Sequence, residues 1–232
     1  QTTRLKLVRP QGLKKKRRQE IMWGVLCASP AILGFLIWQI GPIVASVFVA
    51  MTDWRIAGTP EWIGLANFEQ MFTEDRLFPI ALRVTAYYAF GSVPLHLVVA
   101  FLLALLLNQK IKGLAIFRTV YYLPAVVPLI ASSILWLWLF NPDFGLLNAG
   151  LQGLGLPKSQ WIYHSRTVIP SLILMSAWNV GPTMIIFLAG LQGVPRQLYE
   201  AVEIDGGGAF RRLWHVTIPM LTPTILFNLV LT

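Results

Sequence analysis

The side chains able to do chemistry in this sequence are few and scattered. His96, His164 and His215 are its three histidines, and Cys27 is its single cysteine. Far apart along the chain, they suggest neither a metal cluster nor a disulfide framework. No HExxH, GxSxG or paired-carboxylate pattern offers hydrolytic catalysis a place to start. A GxxxxGK[ST] phosphate cradle is also missing. Gly206-Gly207-Gly208 lacks the lysine and hydroxyl that must follow, and reads as a flexible turn. Two groupings suit recognition instead. One is the polar stretch Leu191–Thr217, in which Glu200 is suited to an Arg or Lys on a partner protein. The other is Trp178-Asn179, followed by Gly181-Pro182. An aromatic face beside an amide suits a ligand that offers both C–H faces and hydroxyls. The Gly-Pro break frees backbone groups, which membranes tolerate where a cavity supplies water. Asn179 equally suits a hydrogen bond between helices.

The elements that must position these residues are apolar. Hydrophobic residues make up 56% of the 232 and charged residues 12%, against about 25% charged in soluble domains. Mean hydropathy is +0.63. Five windows lack Asp, Glu, Lys and Arg: Ile21–Thr52, Val84–Gln109, Thr119–Pro142, Thr167–Pro195 and Leu213–Thr232. A spanning helix needs about 20 apolar residues, and in lipid its backbone must bond to itself. A β-barrel is excluded, since Phe101–Leu107 does not alternate. The expected fold is therefore all-α, a polytopic transmembrane helical bundle. Its spans fall at about 21–51, 82–108, 115–140, 168–192 and 218–232, after a basic segment 1–20. The fifth run is short and stops while still apolar, and the chain starts at Gln1. Trimmed ends and about six spans in the full chain are expected.

The net charge of +9 marks orientation rather than a nucleic-acid partner. Arg4, Lys6, Arg9, Lys14, Lys15, Lys16, Arg17 and Arg18 sit directly before the first span. With an inside N-terminus, Lys110, Lys112, Arg118, Arg196, Arg211 and Arg212 join them, against Arg55, Arg76, Arg83, Lys158 and Arg166 outside. Trp23, Trp54, Trp62 and Trp161 fall at interfaces, as an aromatic belt requires. The first apolar run is longer than a signal-peptide core. Asn67–Phe72 suits a short interfacial helix, and no GxxxG pair signals tight helix dimerisation. A lone intramembrane His96 either relays protons or, more commonly, bonds between helices.

Within the inner loop 193–217, Pro195 suits the first turn of a helix. Leu198, Ala201 and Val202 share a face, and Gly206 suits the left-handed position that ends it. At about ten residues it would be roughly 15 Å long. A second short helix is expected over Ala209–His215. Such an amphipathic helix needs a cover, either a partner protein or lipid headgroups.

Glu200-Ala201-Val202, three residues, Gly206, nine residues, then Val216-Thr217-Ile218-Pro219 resembles the EAA loop of ABC importer permeases. It departs from the family pattern at Val202, Val216 and Ile218, keeping size and polarity, and preserves the glycine spacing. Leu191-Gln192, Val194-Pro195, Leu198-Tyr199-Glu200, Glu203-Ile204-Asp205-Gly206, Leu123-Pro124 with Pro128, and Asn141-Pro142 before Gly145-Leu146-Leu147-Asn148 resemble the sugar-importing subfamily. The basic extension resembles the first of its two permeases. The resemblance implies a permease domain over 21–232 that pairs with a second homologous permease, two cytosolic ATP-binding subunits and an extracytoplasmic solute-binding protein. It implies ATPase docking through Tyr199, Glu200, Ala201, Val202, Glu203, Asp205 and Gly206. It implies a substrate path past Ala125, Leu129, Trp178, Asn179 and Gly181. The chain itself would bind no cofactor, the ATP being used by the partner subunits, and would touch membrane lipid but no nucleic acid. It would lie in a bacterial or archaeal cell (inner) membrane, multi-pass, with its N-terminus cytoplasmic. A peptide, amino acid or phosphate ester is the alternative solute. An ion-coupled secondary transporter fits less well, because the five windows hold no carboxylate for a coupling ion.

Overall fold

The computed structural model describes residues 12–55, 58–109 and 113–232. Arg4, Lys6, Arg9, Lys110 and Lys112 lie outside the described residues. The chain forms two compact units, residues 1–79 and 80–232.

In the first unit, helix α1 (Gly12–Phe35) passes through a π-turn at Leu36–Ile40 into α2 (Gly41–Ala50). Lys16–Ala50 is a continuous apolar helix of 35 residues, long enough to cross a membrane. Its hydroxyls fold back on their own backbone: Ser29 donates to the Leu26 carbonyl and Ser46 to that of Ile43, both at 2.8 Å. That is how a hydroxyl is tolerated in lipid. Beyond it comes a hairpin that hydropathy did not reveal, pairing β1 (Thr52–Asp53) with β2 (Glu61–Trp62). Helix α3 (Ala66–Thr73) forms over the expected interfacial segment. Asn67 ties it down, its Nδ2 donating to the carbonyls of Ala50 (2.9 Å) and Thr52 (3.1 Å). The Asp75 carboxylate accepts from the Leu77 and Phe78 amides, capping α4 (Leu77–Leu107).

In the second unit, α4 packs on α9 (Gly181–Gln192), which packs in turn on α12 (Ile218–Leu231). Ala100 and Ala104, one turn apart and fully buried, let Met184, Phe187 and Leu191 approach closely. Two apolar windows are not straight helices. Helix α5 (Leu114–Val126) meets α6 (Leu129–Leu139) at 99°. The apolar segment expected over 115–140 is thus sharply bent rather than one straight helix. Val127, preceding Pro128, is forced into extended backbone (φ −68°, ψ 128°), and Pro128 has no N–H to carry the ladder across. Helix α8 (Val168–Ser176) and a 3₁₀ turn at Ala177–Asn179 meet α9 at 52°, at the Gly181-Pro182 break. The connection between α6 and α8 carries α7 (Leu146–Gly153).

Helix α10 (Arg196–Ile204) is followed by α11 (Ala209–Arg212), a π-turn at Leu213–Thr217 and then α12. The last three are continuous. The fifth apolar helix therefore runs over Ala209–Leu231, 23 residues, rather than starting near 218, and no separate Ala209–His215 helix stands apart. The π-turn absorbs the extra residue, with the Ile218 amide bonding to the Leu213 carbonyl. Among the described residues, three helices are long and apolar enough to cross a membrane, or five if each bent pair counts as one span.

Candidate functional site

Two groups of residues form the candidate site, one on the polar loop and one in a cavity between the bent helices. On the loop, Pro195 is extended (φ −61°, ψ 130°) and precedes α10 rather than occupying its first turn, with its carbonyl accepting from the Leu198 amide. Gly206 adopts φ +73°. Its amide bonds to the Glu203 carbonyl at 3.0 Å, and the Gly207 amide bonds to the Val202 carbonyl at 2.7 Å. This pair of bonds is a Schellman turn, so the glycine run is an ordered cap and not the flexible turn that composition suggested. Gly207 is needed for space. A Cβ there would lie 2.8 Å from the Val202 carbonyl oxygen and 2.9 Å from Arg211 Cδ.

The helix so ended turns Glu200, Ala201, Glu203, Asp205 and Gly206 outward, while Tyr199 and Val202 are half-buried. Ile204 and Phe210 are 86% and 75% exposed, giving the acidic surface an apolar border. Two contacts fasten this helix to its successors. Arg212 pairs with Glu203. The buried Thr217 hydroxyl donates to the Arg212 carbonyl (3.3 Å), leaving its lone pairs for the Tyr199 hydroxyl (3.2 Å).

The second group surrounds a cavity of about 250 Å³. Leu129, Trp178 and Asn179 line it together. Ala125 is half-buried and not in its wall. Gly181 is not in it either. It is buried against α5, where a Cβ would meet the Tyr121 carbonyl and Tyr122 Cα at 3.0 Å. The remaining wall includes Ser132, Ser133, Trp136 and Ser176, which sequence reasoning passed over. Their signal was present: residues 129, 132, 133 and 136 share one helical face. Trp136 and Trp178 meet edge to face, with centroids 5.9 Å apart, a stable aromatic geometry. Trp136 Nε1 is buried without a partner. Two aromatic rings with hydroxyls and an amide, and no charged side chain in the wall, suit an uncharged polar ligand. Behind the wall, His96 bridges helices, with Nδ1 3.2 Å from the Ser176 carbonyl and Nε2 2.9 Å from the Thr183 hydroxyl. The described residues contain no grouping of His, Cys, Asp or Glu able to hold a metal.

Residues 96–232 match the family described as binding-protein-dependent transport system inner membrane component. The chain belongs to this family. It is thus a multi-pass membrane protein and a transport permease of the ABC class. The inner membrane component is 40% identical over 224 residues to a probable ABC transporter permease, YesP, of Bacillus subtilis, covering 95% of this chain and 72% of that protein. It is 30% identical over 219 residues to the trehalose/maltose transport system permease MalF of Thermococcus litoralis, covering 94% and 74%. Its fold is that of a chain in the crystal structure of a bacterial alginate ABC transporter in complex with an alginate pentasaccharide-bound periplasmic protein. There the TM-score is 0.76 at 24% identity, covering 94% of this chain and 73% of that one.

Proposed function

We propose that this permease imports a sugar or sugar-like solute, handed over by an extracytoplasmic binding protein. ATP hydrolysis in two cytosolic subunits drives the import, and a second homologous permease completes the pathway. The observation that carries the sugar reading is the uncharged cavity between the bent helices, with Trp136 facing Trp178 and Leu129, Ser132, Ser133 and Asn179 around them. Relatives named for trehalose/maltose and for arabinooligosaccharides support the same solute class. A phosphate ester, the solute in the name of a relative 28% identical, would want a cation that this wall lacks.

Docking of the ATPase falls to α10 and its turn, through Tyr199, Glu200, Ala201, Val202, Glu203, Asp205 and Gly206. A nine-residue amphipathic helix between two apolar segments offers a rigid handle, and its exposed carboxylates suit a basic groove. This side is cytoplasmic, as is the N-terminus, in keeping with the basic residues that flank both. Closure of the ATPase dimer would pull the handle and switch the permease between inward-open and outward-open states.

The test is reconstitution of the complex with its binding protein, scoring candidate sugars by stimulated ATP hydrolysis and uptake. Sugar stimulation is expected. Trp178→Ala should raise the half-saturating solute concentration about two- to tenfold, the worth of one aromatic contact. Stimulation by amino acids or peptides alone would sink the sugar reading. An unchanged response in both Trp178→Ala and Asn179→Ala would remove the cavity from the path.

A further inference from the structure

We propose that the contacts Tyr199–Thr217 and Glu203–Arg212 form a two-point clasp that makes the docking helix move with α12, so that Thr217 and Arg212 are positioning residues for energy coupling. The proposal rests on the reading of α10 as the ATPase dock.

The connections of α10 are lopsided. Toward α9 it leaves through Gln192–Pro195, where the Gly193 amide bonds back to the Ala189 and Gly190 carbonyls and Pro195 is extended. Among the described residues, no side-chain hydrogen bond of α10 runs in that direction. Both of its side-chain partners lie on the other side, Arg212 for Glu203 and Thr217 for Tyr199. The turn between α10 and α11 is itself stiff. The Schellman bonds fix it, and Gly207 sits against Val202 and Arg211 with no room for a methyl group. Helix α10, the glycine turn, α11 and the π-turn therefore behave as one body. A pull on α10 passes into α12 before it passes into α9.

The two points of the clasp have different characters. Glu203 and Arg212 are 55% and 36% exposed, and an exposed pair adds little to stability. Its loss leaves the fold standing while freeing the angle between α10 and α11. Thr217 is buried and lies at the π-turn, where a helix carries an irregular bond pattern and bends most easily. Its hydroxyl bonds the Arg212 carbonyl and Tyr199 at once, so one side chain joins the turn to the docking helix.

The experiment uses the assembled transporter, comparing Thr217→Val with Thr217→Ser and Arg212→Ala with Arg212→Lys. Three quantities are read: ATPase co-purification, ATP hydrolysis, and solute taken up per ATP hydrolysed. Valine and alanine should keep the ATPase bound and hydrolysing but cut solute per ATP about fivefold, the lower end of ordinary coupling energies. Serine and lysine, which keep the hydroxyl and the charge, should restore it. Wild-type solute per ATP in both Thr217→Val and Arg212→Ala overturns the clasp. So does an equal loss in the serine and lysine variants, which would assign the effect to packing. Arg212 is on the surface, so its pair keeps the test decisive if Thr217→Val folds poorly. Failure of the wild-type chain to retain the ATPase overturns the docking reading, and the clasp with it.

Discussion

The three glycines that follow α10, the proposed docking helix, should respond differently to the same methyl group. At Gly206 a Cβ would meet no atom within 4 Å, yet φ is +73°. The cost of Gly206→Ala is therefore backbone strain alone, about 1–2 kcal/mol for an L-residue held in the left-handed region. That lowers the population of the formed turn about 5- to 30-fold. Gly206→Asn should recover much of the loss, because asparagine tolerates this conformation. At Gly207 the obstacle is steric. The Val202 carbonyl oxygen, 2.8 Å from a Cβ, belongs to the helix backbone and cannot swing aside. Gly207→Ala should thus open the last turn of α10, and asparagine should not rescue it. Gly208 has extended backbone (φ −77°, ψ −176°) and open space around it, so Gly208→Ala should be silent. The assays are hydrogen exchange of the Gly206 and Gly207 amides and ATPase retention during purification. Slow exchange and full retention in Gly206→Ala would refute the role of the turn. A Gly208→Ala defect equal to the others would show that the run acts by flexibility, against its ordered bonds.

Two further sites give equally direct expectations. His96→Ala strips the Thr183 hydroxyl and Ser176 carbonyl of a shared partner and should cost about 1–3 kcal/mol of stability, read as a lower unfolding temperature in detergent; an unchanged temperature refutes the bridging role. Asn148 is buried and bonds on both sides of its amide, donating to the Pro142 and Ser159 carbonyls and accepting from the Ser159 amide and Trp161 Nε1 at 2.9–3.0 Å. Asn148→Asp keeps the acceptor but loses both donors, so limited proteolysis should cut the loop after α7 faster than in wild type, and equal cleavage rates would refute the knot.

Patterns that repeat along the chain were legible in the sequence, and contacts across it were not. The apolar windows marked where helices lie, and φ-dependent residues marked two boundaries, Gly206 and Gly181-Pro182, because a glycine at a helix end has a local cause. The bend at Val127–Pro128 stayed hidden because hydropathy carries no direction: Thr119–Pro142 reads as one uninterrupted run whether the helix is straight or turns by 99°. The start of the fifth helix at Ala209 was hidden by Arg211 and Arg212, whose charges end an apolar window without ending a helix. Tyr199 and Thr217 lie 18 residues apart, and only the π-turn and the glycine cap bring their hydroxyls together. No local signature encodes such a pair.

On the proposed substrate path, the two breaks in the apolar helices would also give a polar solute its room. Irregular backbone at membrane depth survives only where protein or a wet cavity satisfies it. Here both breaks open on the same space. Val127 and Leu129 flank one, Trp178 and Asn179 the other, and all four line the cavity. At the second break the Ser176 carbonyl, at the head of the 3₁₀ turn, also bonds to His96. From there the packing is continuous with the docking side. Gly181 rests on the α5 backbone, and at the other end of α9 a Cβ on Gly190 would lie within 2.9 Å of Leu221 and Thr224 on α12. A rotation of α12 driven through α10 would meet α9 at that close approach, and α9 follows directly on the turn whose Trp178 and Asn179 line the cavity. Close helix contact through small residues leaves little slack to absorb such a motion. On the proposed mechanism, the glycines that let these helices touch would be as much part of the transport path as the side chains that line the cavity.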